Sequence, residues 1–150
     1  MDATLQAVTL DSNFTTISSL GAQMETVAKM MKSRDSRGAD RDIFYVDQRG
    51  FDTHDNMVDD FSDLMKTLNT GVEEFKNEMV NQGLWDSVTV VMVSEFARTL
   101  PVNTGNGSDH GEYHSTCPVN FILYGFRWII VLTHVNLLYL FTKPGEEIIL

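Results

Sequence analysis

One stretch of six residues, Val88 to Val93 (VTVVMV), constrains the fold of this chain more than any other part of the sequence. Its length and β-branched content favour a strand, and its nearly continuous apolar character is typical of a parallel strand covered on both faces. A similar short run, Ile43 to Val46 (IFYV), predicts another buried strand. Val119 to Leu123 (VNFIL) predicts a third. The chain therefore contains the strands of a small parallel sheet.

Two amphipathic helices are predicted around these strands. The apolar residues of the first recur at steps of three and four and share one helix face: Leu20, Met24, Val27, Met30 and Met31. A longer stripe of the same kind predicts the second helix, with Met57, Phe61, Leu64, Met65, Leu68, Val72, Phe75 and Met79 on its apolar face. The order of helix, strand, helix, strand, loop and strand predicts an α/β fold in which a mostly parallel sheet carries helices on its faces.

Length and charge limit the classes of function. At 150 residues the chain is expected to form one domain, and its net charge of −10 comes from 21 acidic and 11 basic residues. Because such a chain does not neutralise phosphates and is repelled by anionic membrane surfaces, nucleic acid and membranes are not expected partners. The same charge is compatible with the binding of cations. Cys117 is the only cysteine, which excludes an intrachain disulfide.

Neither the first residues nor the apolar segment near the end of the sequence predicts a targeting signal or a membrane anchor. The first residues, MDATLQAVTLDSN, lack the apolar core of a secretory signal, so the compartment is left unassigned. The apolar segment Trp128 to Phe141 covers 14 residues, whereas a membrane-spanning helix needs roughly 20. Arg127, His134 and Asn136 further disfavour a membrane anchor. A buried strand, a buried helix or a segment foreign to the fold are the favoured alternatives.

Polar clusters follow the predicted strands, at the edge of a parallel sheet where ligands bind. In the first cluster, Asp52 and His54 are two residues apart, so in an extended segment both side chains point to the same side. A carboxylate and an imidazole in this arrangement suit a metal cation. The structural alternative is that Asp55 caps the following helix and His54 faces solvent.

The second cluster, SEFART, begins directly after Val93. A glutamate at the end of a buried strand needs a partner, and Arg98 is three residues from Glu95. Two interpretations remain open. In one, Glu95 and Arg98 form a structural ion pair; in the other, Glu95 is a metal ligand and the Arg98 guanidinium binds an oxyanion through two parallel hydrogen bonds.

The third cluster is the glycine-rich segment 103–114 (NTGNGSDHGEYH). Asp109 and His110 place an acid and a base side by side, while Gly107 and Gly111 permit close approach of the backbone to a ligand. Three of the four histidines of the chain lie in the first and third clusters, which indicates a shared site.

Three motifs in this order resemble the domain of unknown function 1501 family. They are FYV followed three residues later by GFDTH, then GLWDSVTVVMVSEFART, then NGSDHG, and the resemblance extends from about Phe14 to Gly125. Ala97 stands where the family prefers glycine. The family is similar to the alkaline phosphatase/sulfatase superfamily. This resemblance implies a three-layer α/β/α fold that is incomplete here, with residues 1–125 as a partial domain and residues 126–150 as an apolar tail that does not match.

The resemblance also implies the site and its chemistry. Five positions carry over as ligands of a divalent ion, which is Zn, Mn, Mg or Ca: Asp52, His54, Glu95, Asp109 and His110. In a hydrolase with this site, Arg98 would be the catalytic cation that neutralises a small anionic ester. Family members are often exported with a twin-arginine signal. In the superfamily the nucleophile comes from an upstream half, which this sequence lacks.

Two hypotheses about function follow. The chain is a fragment of a metal-dependent phosphate- or sulfate-ester hydrolase of unknown substrate, or it is a non-catalytic remnant or interaction module of the same fold. The unpaired backbone groups at the edge of an incomplete sheet pair readily with another chain. The second hypothesis therefore predicts association with the missing half or self-association. Whether the chain is an enzyme is left open by its sequence.

Overall fold

The computed structural model describes residues 3–14, 18–92, 98–111 and 128–133. The elements in chain order are α1 (Ala3–Gln6), α2 (Ser19–Lys32), α3 (Arg34–Arg37), β1 (Asp42–Asp47), α4 (Met57–Asn81), a 3₁₀ turn (Trp85–Ser87), β2 (Val88–Met92) and β3 (Trp128–Thr133). Two of the three predicted strands therefore form where expected. The third, Val119 to Leu123, lies outside the described residues, as do Val93 and Glu95.

The three strands form one parallel sheet in the order β1-β3-β2. Ile130 of β3 is in register with Phe44 of β1 on one side and with Val90 of β2 on the other. The beginning of the apolar segment at 128–141 is therefore a strand, and it lies in the middle of the sheet. Of the alternatives that its sequence left open, the strand is the one observed for residues 128–133.

Helix α2 confirms the predicted apolar face. Leu20, Met24 and Met31 are fully buried, and Val27 is nearly so. Ser18 caps the helix because its hydroxyl accepts a hydrogen bond of 3.2 Å from the backbone N–H of Gly21. Burial of this face supplies most of the stability of a helix this short, because propensity alone does not maintain it in water.

Helix α4 runs without a break for 25 residues and packs against α2. Gly71 lies inside it, where a Cβ atom would stand only 3.1 Å from Cδ2 of Leu20. The glycine therefore allows the two helices to approach closely, which offsets its cost of about 1 kcal/mol in helix propensity. Leu68, Phe75 and Met79 are the buried part of the predicted stripe.

A buried carboxylate fastens the N-terminal segment to this helix pair. The side chain of Glu78 on α4 is fully buried, and its Oε2 accepts hydrogen bonds from the backbone N–H groups of Asp11 (3.0 Å) and Ser12 (2.7 Å). Its Oε1 accepts a hydrogen bond of 2.8 Å from Gln82 and lies 3.9 Å from Nζ of Lys32. These contacts satisfy an acid that an apolar stripe alone would not accommodate.

The sheet faces are covered unequally. On β1, Phe44 and Val46 are buried against α2, whereas Ile43 is 62% exposed and Tyr45 is 75% exposed. The prediction of a fully buried strand is therefore wrong for these two residues. On β2 the neighbouring residues Thr89 and Val90 point to opposite faces and are both buried. The described residues thus show helices mixed with parallel strands and one helical layer over β1.

Across the described ranges, no helix has the combination of length and apolar character that crossing a membrane requires.

Candidate metal centre

Two loops that are far apart in sequence meet beyond β1. One comprises residues 48–56 and the other residues 98–111. An antiparallel bridge between Asp55 and Asn106 joins the two loops, and a second bridge, between Arg98 and His110, lies inside the second loop. The N–H of Ser108 also donates to the carbonyl of Thr53 over 3.1 Å. The predicted first and third polar clusters therefore face each other.

Two glycines make this close approach possible. A Cβ on Gly107 would lie 2.0 Å from the carbonyl oxygen of His54, and one on Gly105 would lie 2.0 Å from Oδ1 of Asp55. No larger residue fits at position 107 unless the backbone of His54 moves, because the atoms it meets belong to the main chain. The glycines thus hold the second loop directly against the segment that carries Asp52 and His54.

Asp52, His54 and His110 converge at the surface where the loops meet. Nε2 of His54 and Nε2 of His110 each lie 3.1 Å from Oδ1 of Asp52. The ring centroids of the two histidines are 5.1 Å apart. One potential ligand atom from each of the three residues lies within 4.8 Å of the others, and all three side chains are solvent-exposed. A single cation can therefore contact all three groups from solvent.

Behind this triad, His54 contacts a second carboxylate. Its Nδ1 lies 3.1 Å from Oδ1 of Asp109, so each ring nitrogen of His54 faces a carboxylate. A neutral imidazole has only one N–H donor, whereas an ionised carboxylate only accepts. In one tautomer Nδ1–H donates to Asp109 and the Nε2 lone pair lies on the side of Asp52. That tautomer is suited to a metal ion, because in many metal-bound histidines a carboxylate holds the other ring N–H.

The side chain of Arg98 joins the two loops next to the triad. Its Nη2 donates to Oδ1 of Asp52, and its Nη1 donates to the carbonyl oxygen of Ser108 and, over 3.4 Å, to that of Thr53. The side chain is only 11% exposed. The guanidinium therefore binds Asp52 and two backbone carbonyls. The proposed pairing with Glu95 involves a residue outside the described ranges.

The pKa values of both carboxyl groups are lowered. Partial burial acts to raise the pKa of Asp52, but the hydrogen bond with His110 and the charges of Arg98 and the two histidines outweigh it. For Asp109, the hydrogen bond from Asn103 has the largest effect in lowering the pKa, followed by the hydrogen bond with His54. Both groups therefore remain anionic, as metal-binding carboxylates must.

The structure brings together most of the site residues that the sequence predicts. Asp52, His54, Asp109, His110 and Arg98 form one cluster, with Asp109 on the far side of the His54 ring. Sequence reasoning overlooked Asn103, whose side-chain amide donates to Oδ1 of Asp109 over 3.0 Å. Its position among turn-forming residues hides it, because asparagine is common in turns for local reasons.

Comparison with known proteins identifies one family. A family model described as a protein of unknown function (DUF1501) matches residues 2–119. The match includes both loops of the site. Neither a curated protein nor a solved structure shows significant similarity to the chain.

Proposed function

The chain belongs to the DUF1501 family, and from this premise we propose that it binds a divalent metal ion through Asp52, His54 and His110 and serves the hydrolysis of phosphate or sulfate esters. The observation that carries the proposal is the convergence of the three ligand groups, whose atoms lie within 4.8 Å of one another. Three protein ligands leave further coordination positions for water and substrate, which is the pattern of catalytic rather than structural metal sites.

The ligand types narrow the choice of metal. Two imidazoles and one carboxylate suit Zn²⁺ or Mn²⁺, whereas Mg²⁺ and Ca²⁺ prefer oxygen ligands alone. We therefore expect Zn²⁺ to bind best. Asp109 fits the role of a carboxylate that holds Nδ1–H of His54 and fixes the ring, because it contacts the nitrogen that faces away from Asp52.

The chemistry follows from this arrangement. A bound divalent ion would supply a Lewis acid and lower the pKa of a coordinated water. Arg98 and a bound divalent ion would together supply positive charge beside Asp52, which favours an anionic substrate. The ester class itself rests on the resemblance of the motifs to alkaline phosphatases and sulfatases. On this proposal the chain corresponds to the C-terminal part of such a domain, and a second helical layer covers the face of Ile43 and Tyr45.

Calorimetric titration tests the metal site. The wild-type chain is titrated with Zn²⁺, Mn²⁺, Mg²⁺ and Ca²⁺, and Zn²⁺ is expected to bind with micromolar or tighter affinity. Asp52→Asn and His54→Ala should each weaken Zn²⁺ binding at least about tenfold, since each removes one of three ligands. Asp35→Asn is the matched control, because the Asp35 side chain is 92% exposed on α3, outside the site. The site is disproved if the wild type binds none of the four ions.

Turnover tests the reaction class. The wild type with Zn²⁺ or Mn²⁺ is assayed on p-nitrophenyl phosphate and p-nitrophenyl sulfate, and hydrolysis should disappear with EDTA and in His110→Ala. Tight metal binding without turnover of either ester would instead support a non-catalytic module.

An exposed apolar face on β1 is the feature that favours this second function. Ile43 and Tyr45 expose an apolar face on β1, at the edge of the described sheet. If the face binds a second copy of the chain, light scattering should show a dimer for the wild type and a monomer for Ile43→Lys. A wild-type monomer at high concentration would argue against the module.

A further inference from the structure

The side chain of Asn103 uses its whole hydrogen-bonding capacity beside the metal centre. Its Oδ1 accepts from the backbone N–H groups of Gly105 and Gly107, each over 2.9 Å. Its Nδ2 donates to the carbonyl oxygen of His54 over 2.8 Å and to Oδ1 of Asp109 over 3.0 Å. A side-chain amide offers two donors and two main acceptor sites, so none remains for another partner.

The two halves of this amide serve different purposes. The acceptor half closes a local turn, because asparagine commonly accepts from the N–H two residues later. A turn needs no more than this. The donor half points away from the turn, to the segment of His54 and to Asp109, which are 49 and 6 residues distant. Local turn formation does not account for these two contacts.

The Asp109 carboxylate has few restraints of its own. Its side chain is 60% exposed, and the same Oδ1 atom accepts from Nδ2 of Asn103 and meets Nδ1 of His54. Without Asn103, this carboxylate would rotate into solvent, and the ring of His54 would lose the partner that fixes its orientation. The other ring nitrogen, Nε2, faces Asp52 in the proposed metal site.

We propose that Asn103 is a positioning residue of the metal centre: its amide holds Asp109 on Nδ1 of His54 and thereby directs Nε2 of His54 toward the metal. In its effect on metal affinity this inference rests on the proposed function. In its effect on the His54 ring it concerns the metal-free protein as well. The loss of such an outer partner typically weakens metal affinity about 10–100-fold.

Asn103→Asp is the sharpest variant. It keeps an oxygen that accepts from Gly105 and Gly107, and it replaces the donor by an oxygen that repels Asp109. Calorimetry with Zn²⁺ should show a loss of affinity of about 10–100-fold. In an Asp109→Ala background the same substitution should have little further effect, since the group through which it acts is gone. An equal loss in both backgrounds would overturn the proposal, because it would indicate a scaffold role that does not pass through Asp109.

Two further variants separate folding from positioning. Asn81→Asp is the matched control, because the side-chain amide of Asn81 donates to the hydroxyl of Ser12 at the far end of α4, and the substitution should leave Zn²⁺ affinity unchanged. Asn103→Ser carries the same test if Asn103→Asp does not fold, since serine retains the local turn but is too short to reach Asp109. Circular dichroism of each variant establishes that it is folded.

Nuclear magnetic resonance of the metal-free protein distinguishes the failure of this inference from the failure of the metal site. Long-range ¹H–¹⁵N spectra report the environment of the two ring nitrogens of His54. Asn103→Asp should shift the Nδ1 signal from its position in the wild type, whereas Asn81→Asp should not. An unchanged His54 signal in Asn103→Asp would overturn the positioning role, whereas a wild type that binds no Zn²⁺ would overturn only the proposed function.

Discussion

At the scale of single residues, the carboxylates of Asp52 and Asp109 make the folding stability of the protein depend on pH in the acid range. Both pKa values lie below the ordinary value of 3.8, so the folded protein binds fewer protons than the unfolded chain in that range. The stabilisation is fully present above the unfolded pKa and is lost as the pH falls through the folded pKa. Because both groups are exposed, the effect is expected to be modest.

We therefore predict that Asp52→Asn combined with Asp109→Asn flattens the acid limb of the stability profile. The melting temperature of the wild type should fall more steeply below about pH 4 than that of the double variant. Circular dichroism at a series of pH values in a metal-free buffer measures this. Asp35→Asn combined with Asp86→Asn, at two exposed positions outside the site, should leave the slope as in the wild type. Equal slopes for all three proteins would contradict the prediction.

Gly107 sets how closely the two loops approach. Gly107→Ala places a Cβ 2.0 Å from the carbonyl oxygen of His54, so the loops must separate at a cost of about 1–3 kcal/mol in unfolding free energy. Zn²⁺ affinity should fall with it. Gly38→Ala is the control, because its φ of +63° strains any side chain while no atom lies near its Cβ. Urea unfolding and calorimetry should show lower stability in both variants but weaker Zn²⁺ binding only in Gly107→Ala.

The sequence indicates which residues form the site but not the role of each. Asp52 and His54 are recognisable because a spacing of two after a strand brings side chains to one side. Asn103 is not recognisable, because the same residue in the same loop is explained by turn formation alone. The difference between a turn asparagine and a positioning asparagine lies in a contact with His54 across 49 residues of chain, which no local pattern encodes.

At the scale of elements, substitution of the buried acid Glu78 tests how strongly α4 is fastened to the N-terminal segment. Glu78→Ala leaves the N–H groups of Asp11 and Ser12 without their acceptor, and it opens a cavity between α2 and α4. We expect a loss of about 2–4 kcal/mol in unfolding free energy, measured by urea denaturation. Hydrogen exchange of the Asp11 and Ser12 amides should accelerate. Glu73→Ala, at an exposed position of the same helix, should change stability by less than about 0.5 kcal/mol.

The buried face of a helix is predictable where its side chains are apolar and regularly spaced. It is not predictable where a buried side chain is polar. The apolar face of α2 is read correctly because Leu20, Met24 and Met31 have no other reason to recur at that spacing. Glu78 lies next to Met79 and does not belong to the predicted apolar stripe, yet it is fully buried. Its burial depends on the backbone of the N-terminal segment, and that contact spans more than sixty residues.

At the scale of the whole molecule, the strand order is the feature that the sequence conceals. The sequence predicts a family-like domain over residues 1–125 and an apolar tail over 126–150, and the central strand of the described sheet, β3 (Trp128–Thr133), lies within that tail. Short apolar runs predict that strands exist, whereas their order depends on pairings between distant segments. Among the described residues, β1 and β2 each pair with β3 and not with each other.

A chain that ends at residue 125 should therefore lose the sheet although it retains β1, α4 and β2. Two strands without the partner between them leave rows of unpaired backbone groups, and such edges favour aggregation over folding. We expect no cooperative urea transition and rapid hydrogen exchange at Val46 and Val90, both of which should be protected in the full chain. A chain that ends at residue 133 keeps β3 and separates loss of the strand from loss of the residues after it. Protection of both amides in the shorter chain would mean that β1 and β2 hold together by other contacts and that β3 is dispensable.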